Sequence, residues 1–256
     1  MKIRVLGAHN CESRDTRLVS LLVDGCLALD AGAITSSLSL ADQQKVRAIL
    51  LTHQHYDHIR DVPSVAMNLY LARASTSIYS TTAVYDALTT HLLNGEIYSD
   101  FFHRPEEKPT LGFIPLEPGK SVRIGSYTVM AVPVVHSVPT LGFQITSNDG
   151  KSVFYTGDTG PGLSECWQMV SPQMLIIEVT ASDRYQDFGR ESNHLTPSLL
   201  REELMSFRKI RGYLPQVVAV HMSPELEAEI RGEITVVSQD LAVPITIAYE
   251  GLELDL

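Results

Sequence analysis

The 256-residue sequence predicts an α/β chain folded as a four-layer αββα sandwich, two facing mixed sheets with helices outside. Three observations predict it. A meander of short β-type segments, followed by helices alternating with buried strands, occurs twice along the chain. Hydrophobic residues make up 44% of the total, enough for a sizeable core. Chemically active side chains recur just beyond predicted strands, where α/β sheets place their sites. Residues 1–256 are expected to form one domain, since no low-complexity tract, linker or repeat interrupts them.

The elements follow in order. Lys2–Leu6 alternates polar and apolar residues and ends at a glycine, so the amino terminus reads as a strand rather than a signal peptide. Leu18–Val23 and Cys26–Leu29 are joined by Asp24-Gly25, a hairpin turn signal. Ser36–Arg47 reads as a helix and Ala48–Leu51 as a buried strand. Val62–Ala72 reads as a helix, Ser77–Tyr79 as a strand, and Thr82–Leu93 as a helix opened by a Thr cap. From Leu111 the pattern shortens to Leu111–Leu116, Ser121–Ile124, Tyr127–Val135, Leu141–Thr146 and Ser152–Tyr155, all β-type and separated by turn residues. Met174–Val179 is an apolar strand, and Thr196–Arg211 an amphipathic helix with Thr196 as cap and Pro197 in its first turn. Gln216–Val220 is a strand, Ser223–Arg231 a helix, and Ile245–Ala248 closes the pattern.

Charge and cysteine usage bound the partners. The net charge of −10 argues against a surface that grips long nucleic acid, which concentrates Lys and Arg on one face. No run approaches the ~18 apolar residues of a membrane helix. Cys11, Cys26 and Cys166 are odd in number and include no CxxC, which suggests neither a disulfide framework nor a thiolate zinc site. A reducing cytoplasm is the expected location.

The stretch LLTHQHYDHIRD (Leu50–Asp61) carries three of the chain's 9 histidines. A buried strand feeds a loop bearing His53, His55, Asp57 and His58. Alternation puts His53 and His55 on one side, while Asp57 and His58 lie where the chain turns into a helix. Imidazole and carboxylate suit Zn, Mn or Fe(II) better than Ca, and four donors in one loop hint at two ions. Other strand ends must complete the shells. His136 follows Tyr127–Val135, Asp158 follows Ser152–Tyr155, and His221 follows Gln216–Val220.

This series resembles the metallo-β-lactamase fold superfamily. The resemblance runs from Leu29-Asp30-Ala31-Gly32 through Thr52-His-Gln-His-Tyr-Asp-His58, His136 and Gly157-Asp158-Thr159 to His221, nearly the whole chain. It implies that His53, His55 and His136 hold one ion, that Asp57, His58 and His221 hold a second, and that Asp158 bridges both. Asp30 would support a ligand histidine from behind. Two divalent ions, zinc first with manganese or iron also compatible, can share and acidify a water and neutralise charge in a hydrolytic transition state. The chain departs from the family at Ile59-Arg60-Asp61, where a glycine is usual, so the substrate lip is expected to differ. A histidine at position 55 favours hydrolysis over the oxygen-reducing branch, which carries Glu there.

Substrate class rests on two further residues. Glu178 ends an apolar strand, and His194 follows 194 − 178 = 16 residues later, immediately before a helix cap. The pair resembles the Glu and His-x-Thr motif of the phosphodiesterase branch, ribonuclease Z-like enzymes and class II cyclic-nucleotide phosphodiesterases. Expelling an alkoxide from a phosphodiester needs proton donation, which His194 could supply with Glu178 fixing its tautomer. Ser137–Lys151 leaves no room for the basic arm with which transfer RNA enzymes grip substrate. The expectation is a small phosphodiester substrate such as a cyclic nucleotide, with His194, Glu178 and Asp57 catalytic. A thioester, lactone or β-lactam hydrolase, a tRNA 3′-processing endonuclease and a non-catalytic binding module remain as alternatives. No large nucleic acid and no membrane partner is expected, and a homodimer is compatible with the resemblance.

Other residues carry weaker signals. The loop after the first strand borders the cleft in resembling folds, so His9, Asn10, Arg14 or Arg17 could meet substrate, loop solvation being the simpler role. Residues 93–109 bring Tyr98, Phe101, Phe102 and His103, which could line a base-stacking wall or a dimer contact, or pack on the body. His91 reads as an ordinary helix residue. Arg184 and Tyr185 lie near enough in sequence to the Glu178–His194 pair to reach a substrate.

Overall fold

In the computed structural model, which describes residues 1–256, short β-prone runs become fourteen strands. These are β1 (Lys2–Gly7), β2 (Ser20–Val23), β3 (Leu27–Leu29), β4 (Ala48–Leu50), β5 (Thr76–Ser80), β6 (Leu111–Pro115), β7 (Ser121–Ile124), β8 (Tyr127–Pro133), β9 (Leu141–Ser147), β10 (Ser152–Tyr155), β11 (Met174–Glu178), β12 (Gln216–Val220), β13 (Ile245–Ile247) and β14 (Glu253–Asp255). One seven-stranded sheet runs β14-β1-β2-β3-β4-β5-β6, and the other β13-β12-β11-β10-β9-β8-β7. Asp24 and Gly25 both take positive φ, 45° and 70°, as the tight turn between β2 and β3 requires. Strands β3 to β6 pair in parallel, as do β10 to β13. Being covered on both faces, β4 and β11 are buried at every residue, which is why they read as unbroken apolar runs.

The inner faces of the sheets meet through residues such as Ile3, Val5, Leu29, Phe143, Tyr155 and Ile176. The helix Val62–Leu71 covers one outer face with Val65, Ala66 and Leu69. The helices Pro197–Arg211 and Glu227–Leu241 cover the other, where Trp167 and Phe207 pack edge to face. This is the expected αββα sandwich. No helix is long and apolar enough to cross a membrane.

Several elements differ from the sequence pattern. Ser36–Arg47 is not one helix but two short ones, Ile34–Ser37 and Leu40–Gln43. Leu38 is extended between them, and the Ser39 hydroxyl accepts from the Asp42 amide, restarting the helix. Thr82–Leu93 begins under a Thr81 cap and loosens to a π turn over Leu88–Leu92. Thr196 sits at the cap position of its helix without a capping bond; Asp183 instead accepts from the Ser198 amide at 2.8 Å. The helix expected at Ser223–Arg231 runs over Glu227–Leu241. Ser164–Met169, Gln186–Ser192 and β14 were not legible as elements. Strand β14 is three residues, two of them acidic around Leu254, whose pairing comes wholly from β1.

Strand direction positions the site. Strand β8 is antiparallel to β9, and β9 to β10, so β8, β10, β11 and β12 all point the same way. Their carboxyl ends open on one rim, and they are followed by His136, Asp158, the Glu178 end and His221. In the other sheet β3 and β4 end at Asp30 and the His53 loop.

Candidate metal centre

Two groups of donors converge at this rim. Ligand atoms of His53, His55, His136 and Asp158 lie within 4.8 Å of one another, as do those of Asp57, His58, Asp158 and His221. In the first group His55 Nδ1 lies 3.0 Å from His53 Nε2 and 3.2 Å from His136 Nε2. In the second, His58 Nε2 is 3.1 Å from Asp158 Oδ1 and 3.4 Å from Asp57 Oδ2, and His221 Nε2 is 3.1 Å from Asp57 Oδ2. Asp158 belongs to both groups. All seven residues named from the sequence are therefore brought together, with Asp57 and His58 on the short helix Tyr56–Ile59.

The outer nitrogens decide what these atoms can do. The Thr52 hydroxyl donates to the Asp30 carboxylate at 3.0 Å, so it accepts from His53 Nδ1 at 2.9 Å. His58 Nδ1 donates to Asp30 Oδ2 at 2.8 Å, and His136 Nδ1 to the Asn193 carbonyl at 3.1 Å. The Thr180 hydroxyl donates to Glu178 Oε2 at 2.7 Å and accepts from His221 Nδ1 at 2.9 Å. Four imidazoles are thus held with Nδ1–H outward and a bare Nε2 facing the centre. His58 Nε2 and Asp158 Oδ1 are buried with no hydrogen-bond partner. Facing lone pairs repel, so this donor set fits a cation at each group.

The electrostatics point the same way at every donor with a resolved shift except His58. Burial pushes His53 well below the usual imidazole value, and lowers His55 and His136. Burial would lower His58 too, but the Asp158 and Asp30 carboxylates hold it well above. Against the desolvation that would raise them, Asp57 is held low by its bonds to His221 and His58, and Asp158 by the charges of His221 and His58. Neutral imidazoles and ionised carboxylates are the ligating forms, so His58 has to release a proton when a cation binds.

Asp30 does support a histidine, and more than that. It has φ 54° and accepts from the Thr52 amide (2.8 Å), His58 and the Tyr155 hydroxyl (2.7 Å), the last reaching across from the opposite sheet. His221 also has positive φ, 66°, a conformation non-glycine residues hold only when surroundings over-determine it. Its amide donates to the Ala8 carbonyl at 2.6 Å. Sequence reading had no signal for Thr52, Tyr155 or Thr180. Nor do the glycines beside Asp158 open room for a ligand: a Cβ on Gly157 would lie 2.6 Å from Thr52 Cγ2, so that glycine serves sheet-to-sheet approach.

Beside the second group sits His194. Its Nδ1 donates to Glu178 Oε1 at 2.7 Å, and Glu178 is fully buried, further held by the Thr159 and Leu195 amides. Burial pulls His194 down, but the facing Glu178 carboxylate overrules it and lifts the imidazole to about 9. His194 lines a cleft of about 660 Å³ together with His55, Asp57, Asp158, His221, Tyr56, Asn10 and Arg60. Arg60 is taken up by Glu12 and Asp61. Asp61, in the Ile59-Arg60-Asp61 stretch that departs from the family pattern, is buried and accepts from the Thr35 amide and hydroxyl, tying the helix entry to the body.

The weaker candidates resolve. His9 is neither solvated nor facing the cleft: it is 3% exposed and bonded to Glu250 (2.7 Å) and Glu227 (3.3 Å). Asn10 lines the cleft. Phe101 and Phe102 are buried against Tyr70 and Tyr85, and His103 pairs with Asp100, so the 93–109 segment packs on the body. His91 is an exposed helical residue. Arg184 reaches Glu229 and stacks over Tyr185.

The fold is that of the metallo-β-lactamases, and its rim carries two paired His/Asp groups suited to metal ions. The chain belongs to the β-lactamase superfamily, whose domain, described as "Beta-lactamase superfamily domain", matches residues 21–237. A ribonuclease of Thermus thermophilus is 29% identical over 125 residues, an alignment spanning 46% of this chain and 27% of that protein. Among solved structures, unliganded yeast PDE1 superposes with a TM-score of 0.83 at 16% identity, covering 100% of this chain and 99% of that one. The metallo-β-lactamase fold protein YhfI from Bacillus subtilis gives 0.77 at 17% identity, covering 99% and 98%. Human tRNase Z, short form, gives 0.71 at 18% identity, covering 100% and 99%.

Proposed function

We propose that the protein is a dinuclear metal-dependent phosphodiesterase acting on a small phosphodiester, such as a cyclic nucleotide. The observation that carries this reading is the Glu178–His194 pair: an imidazole beside the metal-ligand groups, held by a buried carboxylate at 2.7 Å. His53, His55, His136 and Asp158 would hold one divalent ion; Asp57, His58, His221 and Asp158 the other. Ions there supply Lewis acidity, which makes water a nucleophile near neutral pH and offsets charge on phosphoryl oxygens. Asp57 orients the attacking water's proton. Glu178 fixes His194 with its proton available at Nε2, and His194 delivers that proton to the departing alkoxide.

The cleft offers no uncommitted Lys or Arg, since Arg60 is engaged by two carboxylates. A diester carrying one charge suits it better than a polyanion. The ribonuclease similarity favours RNA as a second reading. Against a tRNA substrate stand the charge of −10 and the tight turn joining β9 to β10, which leaves no gripping arm.

Protein loaded with zinc, and separately with manganese, should hydrolyse bis(p-nitrophenyl) phosphate and a cyclic nucleotide faster than nitrocefin, a lactone or an oligoribonucleotide. Lactone or nitrocefin turnover with no diester cleavage would overturn the proposal. Efficient oligoribonucleotide cleavage with inert cyclic nucleotides would select the second reading.

A further inference from the structure

Next to the cleft lies a second cavity of about 400 Å³, lined by Asn10, Thr180, Ala181, Tyr185, Phe188, His194, Ser223 and Leu226. The two cavities share only Asn10 and His194. Its apolar wall is unusual for a surface: Phe188 is 56% exposed and Tyr185 42%. Both sit on the segment that ends at the proton donor, because the His194 amide closes back on the Gly189 carbonyl at 2.8 Å. Asn10 supplies the polar side. Its Nδ2 donates to Ser223 Oγ at 2.9 Å, while Oδ1 is buried without a partner.

The position of the acid gives this cavity a direction. A general acid must stand next to the oxygen that departs, so the leaving alcohol lies on the His194 side of the phosphorus and the attacking water on the far side. Resting on the phosphodiesterase reading, we infer that this cavity receives the leaving alcohol. The structure assigns it a planar aromatic group, a nucleobase, stacked on Phe188 and Tyr185. An aromatic platform gives affinity to any base through its π face.

The test compares adenosine 5′-monophosphate with ribose 5-phosphate, which share the phosphate and sugar and differ by the base. Each is measured by calorimetry on the metal-loaded protein and as a competitive inhibitor of bis(p-nitrophenyl) phosphate turnover. The nucleotide should bind about tenfold more tightly. Phe188→Ala, at an exposed position where folding is safe, should remove most of that difference. Tyr185→Ala should lower nucleotide affinity severalfold and leave ribose 5-phosphate unchanged. Equal affinities in the unaltered protein, or a preference that survives in both variants, would overturn the subsite while diester turnover persists. Absence of diester turnover on every substrate would overturn the phosphodiesterase reading and the subsite with it.

Discussion

Replacing Thr180 by valine tests the tautomer logic of the site. The Thr180 hydroxyl lies 2.9 Å from His221 Nδ1, 2.7 Å from Glu178 Oε2 and 3.2 Å from His194 Nδ1. Its single proton goes to the carboxylate, which can only accept, so the oxygen accepts from His221 and leaves Nε2 bare. Valine keeps the shape and deletes that oxygen. His221 Nδ1–H is then buried without an acceptor, at about 1–3 kcal/mol. The imidazole can escape by moving its proton to Nε2, which faces Asp57 Oδ2 at 3.1 Å. That tautomer bonds a carboxylate and cannot ligate. Losing such a supporting partner typically weakens a metal by ~10–100-fold. The second ion should therefore weaken by that factor and the first stay unchanged, read by competitive titration against a chromophoric chelator, with a melting curve confirming the fold. Unchanged affinity in both steps would refute the reasoning. So would equal loss in both, because Thr180 bonds no member of the first group.

Further expectations concern the same machinery. His194→Ala should retain both metals by elemental analysis and lose ~10²–10⁴-fold in diester turnover. His194 must be protonated to act, so kcat/KM should fall on the alkaline side of the profile; Glu178→Gln removes the carboxylate that lifts it and should move that limb to lower pH. Asp158→Ala should deplete both ions, whereas His221→Ala should deplete mainly the second, since only Asp158 belongs to both groups. Away from the site, buried Glu203 accepts from the Gly162 amide (2.7 Å), the Leu163 amide (3.2 Å) and Trp167 Nε1 (2.8 Å). Glu203→Ala strands all three donors and should cost about 3 kcal/mol in urea unfolding.

What the sequence reveals of this site is set by chain locality. His53, His55, Asp57 and His58 are legible because six residues carry four donors at a strand end. His136, Asp158 and His221 each follow a recognisable apolar strand. Thr52, Thr180 and Tyr155 are illegible for the opposite reason. Each is a common residue whose role exists only after a partner arrives from elsewhere in the chain: Tyr155 meets Asp30 from 125 positions away, and Thr180 meets His221 from 41. The fold divides similarly. Buried parallel strands announce themselves by uninterrupted apolar runs. The broken helix at residues 34–43 and the edge strand β14 depend on a competing serine cap and on a neighbour's free edge, which no local pattern encodes.

These supporting bonds explain why the centre lies between two sheets rather than on one. Asp30 belongs to the first sheet and Tyr155 to the second, and Gly157 lets the Asp158 loop close on Thr52. Each donor group draws on both sheets, so docking the sheets assembles the centre. Docking also buries Asp158 Oδ1 and His58 Nε2 without partners and fixes bare imidazole nitrogens face to face. An uncompensated cluster of this kind opposes folding. The rigidity of the surrounding bonds keeps it from relaxing by rotating a ring or switching a tautomer. A bound cation relieves the repulsion and stabilises the native chain by its own binding free energy. The outward hydrogen bonds thus do two things at once: they hold the lone pairs where a cation needs them, and they leave a proton on His58 as its competitor there.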